Sequence, residues 1–321
     1  MSKTTFKRGY AGLVFFFTTL FCFAGGVQEG QLSEINVSYV KSPFNLSAIV
    51  MKERGMLEEA FAEQEIEVKY HEINSGAKQA QAMAGGSLDI GGVMNTTSVI
   101  LTNSAGNDVR IVSAYSRPIH VFSIVSADDE IRTVEDLRGK KVAGPKGTVL
   151  HQLLAAALQS KGMSLEDVEF LQMDLPQAAT AMSAGQIDAA LLAGNLVINA
   201  QKTGAHIITT AEGLVTPTLV IAARGPFVDT HPQVVELYID TNRAALAWIE
   251  ENLNEALQMG AEEQGISLED ARTLYTWTQF ADTLETRDLE AMEADIDFML
   301  QNGMLTERIS AESCVAEAAL P

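Results

Sequence analysis

Ala82-Met83-Ala84-Gly85-Gly86-Ser87-Leu88-Asp89-Ile90 returns later in the chain as Ala181-Met182-Ser183-Ala184-Gly185-Gln186-Ile187-Asp188-Ala189, with Ala, Met, Gly, an aliphatic residue and Asp in matching places. Each copy has a second echo upstream. Lys52-Glu53-Arg54-Gly55-Met56 and Gln159-Ser160-Lys161-Gly162-Met163 each close an amphipathic stretch, and a run of strand character follows both, at Ile66 to Tyr70 and Val168 to Leu171. Two segments with one grammar predict two similar α/β lobes. A cleft between two lobes is a usual seat for a small ligand.

Working outward from the repeat, Ile35 to Val40 alternates as a strand, and Leu46, Ile49, Val50 and Leu57 then recur at helical spacing. Strand, loop and helix repeat through Gly76 to Ala84, Leu88 to Gly91, Thr97 to Ser104 and Val109 to Ala114, and again from Val142 to His206. This alternation predicts largely parallel sheets with helices on both faces. Ile119 to Val125 reads as a strand arriving from the first lobe, and Leu219 to Ala223 as one that carries the chain back. Crossings near Ser116-Arg117-Pro118 and Leu214 to Pro217 then form a two-strand hinge that permits closure. The expected division is a signal peptide at 1–26, lobe one at 27–115 plus 216–321, and lobe two at 116–215.

Lys3, Lys7 and Arg8, the apolar run Leu13 to Phe23 and the small residues Ala24-Gly25-Gly26 make the expected signal segment. Its core is well short of the ~20 residues that a membrane span needs. Cleavage there removes three cations and no acids, taking the formal charge from −20 to −23 and leaving Cys314 as the one cysteine. So acidic a surface argues against nucleic acid or anionic lipid as a partner. The expected location is periplasmic or otherwise extracytoplasmic. Cys22 offers an alternative lipid-anchor site, against which Phe21 stands where a small residue normally precedes such a cysteine.

In doubly wound sheets, ligands collect at the carboxyl ends of strands, where loops run into helix N-termini. That rule selects the loops Lys41 to Asn45, Gly92 to Thr97, Ala143 to His151 and Leu192 to Asn195, with the crossovers. The expected ligand-binding residues are Ser42, Pro43, Asn45, Asn95, Thr96, Gly147, Thr148, His151, Asn195 and Thr216. Gly139 to Gly144 has phosphate-loop glycine spacing, but Pro145 stands in the required lysine position, so the nucleotide reading fails. What survives is a helix N-terminus with free N–H groups, a natural seat for an oxyanion, with Thr148 as its cap. His151 falls one turn further on, off the stripe of Leu150, Leu153, Leu154 and Leu158, so that it could face the cleft. Asp89 and Asp188, being equivalent in the repeat, are expected to start strands rather than to act as a catalytic pair. The five histidines show no metal-ligand spacing, and no Gly-x-Ser-x-Gly elbow occurs. No catalytic residue, metal or cofactor is expected.

Val134 to Gly139, Gly139-Lys140-Lys141-Val142-Ala143-Gly144-Pro145-Lys146-Gly147-Thr148 onward to Leu154, and Ala184 to Ala190 resemble the sulfonate, taurine and nitrate group of periplasmic solute-binding proteins. The resemblance runs from Ile35 to Leu305. It implies a type II periplasmic-binding-protein fold, two doubly wound α/β lobes joined by a two-strand hinge, and delivery of a small polar or anionic solute to a membrane ABC permease by a monomeric receptor. It also implies that the loop from Gly147 to His151 holds the ligand's anionic group. Val149 and Leu150 replace the further serines of sulfonate binders, and Ala193-Gly194-Asn195 replaces an aromatic-Asp-Pro element. A thiamine pyrimidine precursor as ligand and a sensory solute receptor remain as alternatives. The signal segment and the absence of a cysteine or histidine cluster speak against an enzyme on the same fold. Beyond the shared glycine-aliphatic-aspartate unit the copies part, Asn95-Thr96-Thr97 against Gly194-Asn195-Leu196, and the ligand is expected near that divergence.

Overall fold

The computed structural model describes Met1 and residues 32–321; the expected signal segment and Cys22 lie outside the described residues. The chain runs β1 (Glu34–Tyr39), α1 (Leu46–Glu53), α2 (Met56–Phe61), β2 (Glu67–Glu72), α3 (Gly76–Ala84), β3 (Ile90–Asn95), α4 (Thr96–Ser104) and β4 (Val109–Ser116). It continues through β5 (Phe122–Ser126), β6 (Lys141–Gly144), α5 (Val149–Ser160), β7 (Glu169–Gln172), α6 (Leu175–Ser183), β8 (Ala189–Ala193), α7 (Asn195–Lys202) and β9 (His206–Thr210). Then follow β10 (Leu219–Arg224), α8 (Gly225–Thr230), α9 (Pro232–Glu251), α10 (Leu253–Gln264), α11 (Leu268–Thr278) and α12 (Thr286–Gln301).

Two five-stranded sheets result, ordered β2-β1-β3-β10-β4 and β7-β6-β8-β5-β9. They share one plan, largely parallel as expected, with one reversed strand in each. In the first sheet β10 lies antiparallel between β3 and β4, and in the second β5 lies antiparallel between β8 and β9. The reason is geometric. A strand arriving from the other lobe enters its sheet at the end facing that lobe, which is the carboxyl end of the parallel strands, and so must run against them. The chain leaves the first sheet through 117–121 and returns through 211–218.

The sequence repeat is the hardware of this plan. Met83 and Leu88 are buried in one hydrophobic core, and Met182 and Ile187 in the other. Gly86 (φ 74°) and Gly185 (φ 66°) take the left-handed conformation that ends α3 and α6. Around them the same two bonds close both helices: Ser87 N to Ala82 O and Gln186 N to Ala181 O, each 2.9 Å, and Gly86 N to Met83 O and Gly185 N to Met182 O, each 3.0 Å. The aspartate then clasps the neighbouring strand. Asp89 Oδ2 accepts from Asn36 N at 3.0 Å, and Asp188 Oδ2 accepts from Lys141 N at 2.7 Å.

A charge-assisted bond of this kind is worth about 1–2 kcal/mol, so Asp188→Ala should lower stability by about that much in a urea titration. An unchanged midpoint would show that water serves Lys141 N equally well.

The acid-rich C-terminal region adds a helical layer to the first lobe. Met292, Ile296 and Met299 of α12 join its core, and the chain end returns to pair Val315 with Ile111. Among the described residues, no helix is long and apolar enough to cross a membrane.

Candidate functional site

A cavity of about 610 Å³ lies between the two sheets, walled by the carboxyl-end loops of both. The first lobe contributes Ser42 and Pro43 from the β1–α1 loop, Asn74 to Gly76 from the β2–α3 loop, and Met94 and Asn95 at the end of β3. The second contributes Pro145 and Thr148 to Leu150 around the start of α5, Asp174 to Gln177 at the start of α6, and Ala193 and Leu196. Phe122 and Leu219, first residues of the two crossing strands, face into it as well.

Of the residues expected from the sequence, Ser42, Pro43, Asn95 and Thr148 line this cavity; Asn45, Thr96, Gly147, His151, Asn195 and Thr216 do not border it. Asn45 shapes the wall from behind, its amide donating to Val40 O at 2.7 Å and Ser42 O at 3.0 Å. Thr96 is buried at the start of α4, where its N–H bonds Thr218 O, and Thr216 is exposed on the returning crossover. Asn195 opens α7 with its side-chain oxygen buried and without a hydrogen-bond partner among the described residues. Gly147 meets the first lobe instead, accepting at its carbonyl from Ser98 Oγ at 3.0 Å.

Two expectations about the α5 start need correction. The Thr148 hydroxyl does not cap the helix; it donates to Pro145 O at 2.9 Å. His151 does not face the cleft; its ring packs on Phe170 with centroids 4.8 Å apart. Burial, reinforced by the nearby Lys146 charge, lowers its pKa to about 4, so the imidazole is neutral at physiological pH. A residue flanking a leucine stripe still faces a neighbouring strand when the helix is buried nearly all round, as α5 is.

The consequence is chemical. With no side-chain cap on α5, the N–H groups of Val149 and Leu150, residues that line the cavity, meet no acceptor among the described residues. α3 also starts at this wall, with Ser75 making no side-chain cap bond. Two helix starts of this kind favour an anion by about 0.3–1 kcal/mol each, more where partly buried. Lys78 is the one cation among the lining residues, and it already pairs across the cleft with Asp174 at 2.9 Å. Glu72 and Asp174 supply negative charge at other points of the wall, while Val40, Ile73, Val93, Met94, Phe122 and Leu150 make much of it apolar.

The wall is held rigid from beneath by Gln79, which is buried. Its Oε1 accepts from Ser38 Oγ at 2.8 Å, and its Nε2 donates to Ile73 O at 3.2 Å and Val93 O at 2.9 Å. Sequence reading missed the β2–α3 and β7–α6 loops, although the signal was present. Asn74-Ser75-Gly76 and Asp174-Leu175-Pro176-Gln177 are both helix starts that follow strands at equivalent places in the repeat.

Two matched α/β lobes enclosing a cavity at their strand ends have the fold of periplasmic binding proteins. The alkanesulfonate-binding protein SsuA from Xanthomonas axonopodis pv. citri, solved bound to MOPS, superposes with a TM-score of 0.80 over 89% of this chain and 99% of its own, at 21% identity. The chain belongs to the NMT1/THI5 like family, which it matches over residues 54–256. Among sequence relatives, a Bacillus subtilis (strain 168) protein named for aliphatic sulfonate binding is 27% identical over 315 residues, covering 95% of this chain and 94% of its own. The taurine-binding periplasmic protein of Escherichia coli (strain K12) is 27% identical over 221 residues, 62% of this chain and 65% of its own.

Proposed function

We propose that this protein is the solute-capturing component of an ABC importer, working outside the cytoplasm as a monomer and handing a small organic anion to a membrane permease. The observation that carries this reading is the cavity itself. It sits between two lobes joined by two crossings, the uncapped start of α5 supplies donors for an anionic head, and apolar side chains supply a wall for the remainder of the ligand. A sulfonate suits that head site because it is ionised at every working pH and offers three oxygens to diverging N–H groups. The sequence relatives named for sulfonate and taurine binding support the same chemistry. The reading is one of binding rather than catalysis. The Thr148 hydroxyl is engaged by Pro145 O, and His151 is buried away from the cavity, so neither is offered to a ligand as nucleophile or base.

Calorimetry on the mature, refolded chain with ethanesulfonate, taurine, nitrate, bicarbonate and a thiamine pyrimidine precursor tests this. Ethanesulfonate is expected to bind and nitrate to bind more weakly, because nitrate leaves the apolar wall uncovered. Taurine differs from ethanesulfonate by one ammonium, so their ratio reports whether Glu72 or Asp174 reaches the ligand. Binding of the pyrimidine alone would replace the anion reading with the alternative one. Heat from none of them would sink solute capture of this class.

A further inference from the structure

The lobes meet beside the cavity through a polar chain whose members do not line it. Thr97 of α4, in the first lobe, donates from Oγ1 to Gln152 Oε1 of α5, in the second, at 2.7 Å. Gln152 Nε2 donates in turn to Asp295 Oδ1 of α12, back in the first lobe, at 2.5 Å. Thr97 and Gln152 are each 1% exposed, so water cannot stand in for the bond between them while the lobes are together, whereas Asp295 is partly buried. Gln152 lies one turn inside the helix whose first N–H groups face the cavity, and holding it fixes that turn against the opposite lobe.

We propose that the Thr97–Gln152–Asp295 chain is the lock that holds the lobes closed over the cavity, and that Gln152 is a positioning residue for the anion-facing start of α5. The inference rests on the reading that the lobes close about a solute.

The surroundings of Asp295 couple the lock to protonation. α4 carries no ionisable side chain, and the one on α5, His151, is neutral and packed on Phe170. Lys146, before α5, is exposed. On α12 the residues one turn either side are Ala291, Met292, Phe298 and Met299, while Asp288 is taken by Arg117, and Glu293 and Asp297 by Arg308. Among the described residues no cation offsets the burial of the Asp295 carboxylate, and burial raises its pKa to about 7, against the partial opposition of the Gln152 bond. The neutral acid can also join the chain. With the Gln152 amide turned over, Asp295 donates to Oε1 and Nε2 donates to Thr97 Oγ1.

The pKa is raised in the closed form, so its contribution to closure is fully present below the ordinary carboxylate value near 4 and fades as pH rises through 7. Between pH 8 and pH 6, closure, and ligand affinity with it, is expected to strengthen about tenfold. Calorimetry with ethanesulfonate over that range, in two buffers of different ionisation enthalpy, should show close to one proton taken up per ligand at pH 6. Asp295→Asn, which keeps the hydrogen bonds and lacks the charge, should bind with one affinity throughout and take up none. Gln152→Ala should weaken binding at every pH and flatten the profile. A wild-type profile that Asp295→Asn leaves unchanged overturns the proposal. If ethanesulfonate binds neither protein, the solute reading fails separately, and the lock is read in the ligand-free chain. There small-angle scattering should show the wild-type lobes closer together at pH 6 than at pH 8 and those of Asp295→Asn alike at both, and a wild-type separation that does not change with pH overturns it.

Discussion

A Gly194→Ala variant is expected to lose about two orders of magnitude in ligand affinity while remaining folded. Gly194 follows β8 at φ 56°, ψ −125°, a backbone region that residues with a side chain rarely enter, at a cost of about 1–3 kcal/mol. It is also the point where the second lobe touches Pro43 of the first. A Cβ added there would stand 2.5 Å from Pro43 Cβ and 2.9 Å from Pro43 O. Carbon atoms at rest are about 3.5–4 Å apart, so the lobes must part by about 1 Å, or β8 must bend. Pro43 lines the cavity and Gly194 opens the helix beside it, so that gap appears at the ligand. Calorimetry with a bound panel compound reads the affinity, and small-angle scattering reads the separation of the lobes. Adding Pro43→Gly, which removes the nearest atom, should restore part of the loss, and the coupling between the two changes measures the contact itself. An affinity within twofold of wild type would show that this contact takes no part in closing.

The same glycine shows how far the sequence was legible. The repeat displayed what two cores have in common: a methionine and an aliphatic residue to bury, a glycine to end a helix, an aspartate to clasp a strand. Each of those needs is local, and each leaves a residue type at a fixed spacing. The fold was therefore readable almost to its topology. What escaped was the reversal of β5 and β10, since parallel and antiparallel strands buried on both faces present the same apolar run. The site was less legible. Ser42, Pro43, Asn95 and Thr148 followed from the strand-end rule, but Thr97, Gln152 and Asp295 lie far apart in sequence and meet only when the lobes do. Gln152 sits among leucines and alanines and reads as a helix former, and Asp295 reads as one acid among many on an acidic helix. No spacing marks a contact whose two sides belong to different lobes. The expected divergence between Asn95-Thr96-Thr97 and Gly194-Asn195-Leu196 came nearest. Besides cavity wall, those positions supply the Thr97 bond to Gln152 and the Gly194 approach to Pro43.

Arg117→Ala should lower the stability of the first lobe by about 3–5 kcal/mol, the cost of leaving a buried carboxylate without its cation. Arg117 is the first residue of the outgoing crossover, and its guanidinium forks onto Asp288, with Nε 2.8 Å from Oδ1 and Nη2 on Oδ2. The Asp288 side chain is 2% exposed, and its Oδ2 also accepts from Glu285 N at 2.9 Å to start α12. Nη2 further reaches Thr283 O at 3.1 Å, and Arg117 N bonds Gln279 O at 3.0 Å. One arginine thus ties the crossover to the segment between α11 and α12, and through α12 to the helix that carries Asp295. Lysine cannot reproduce a two-toothed grip on a carboxylate, so Arg117→Lys should recover only a minor part. Arg117→Ala combined with Asp288→Asn should recover more, because the amide removes the stranded charge and its oxygen can still accept from Glu285 N. Urea denaturation of the three variants gives the ranking. A loss below about 1 kcal/mol for Arg117→Ala would place the pair with solvent-screened surface bridges. The crossover would then be anchored by its backbone bonds, and α12 would carry Asp295 to the lobe boundary without help from Arg117.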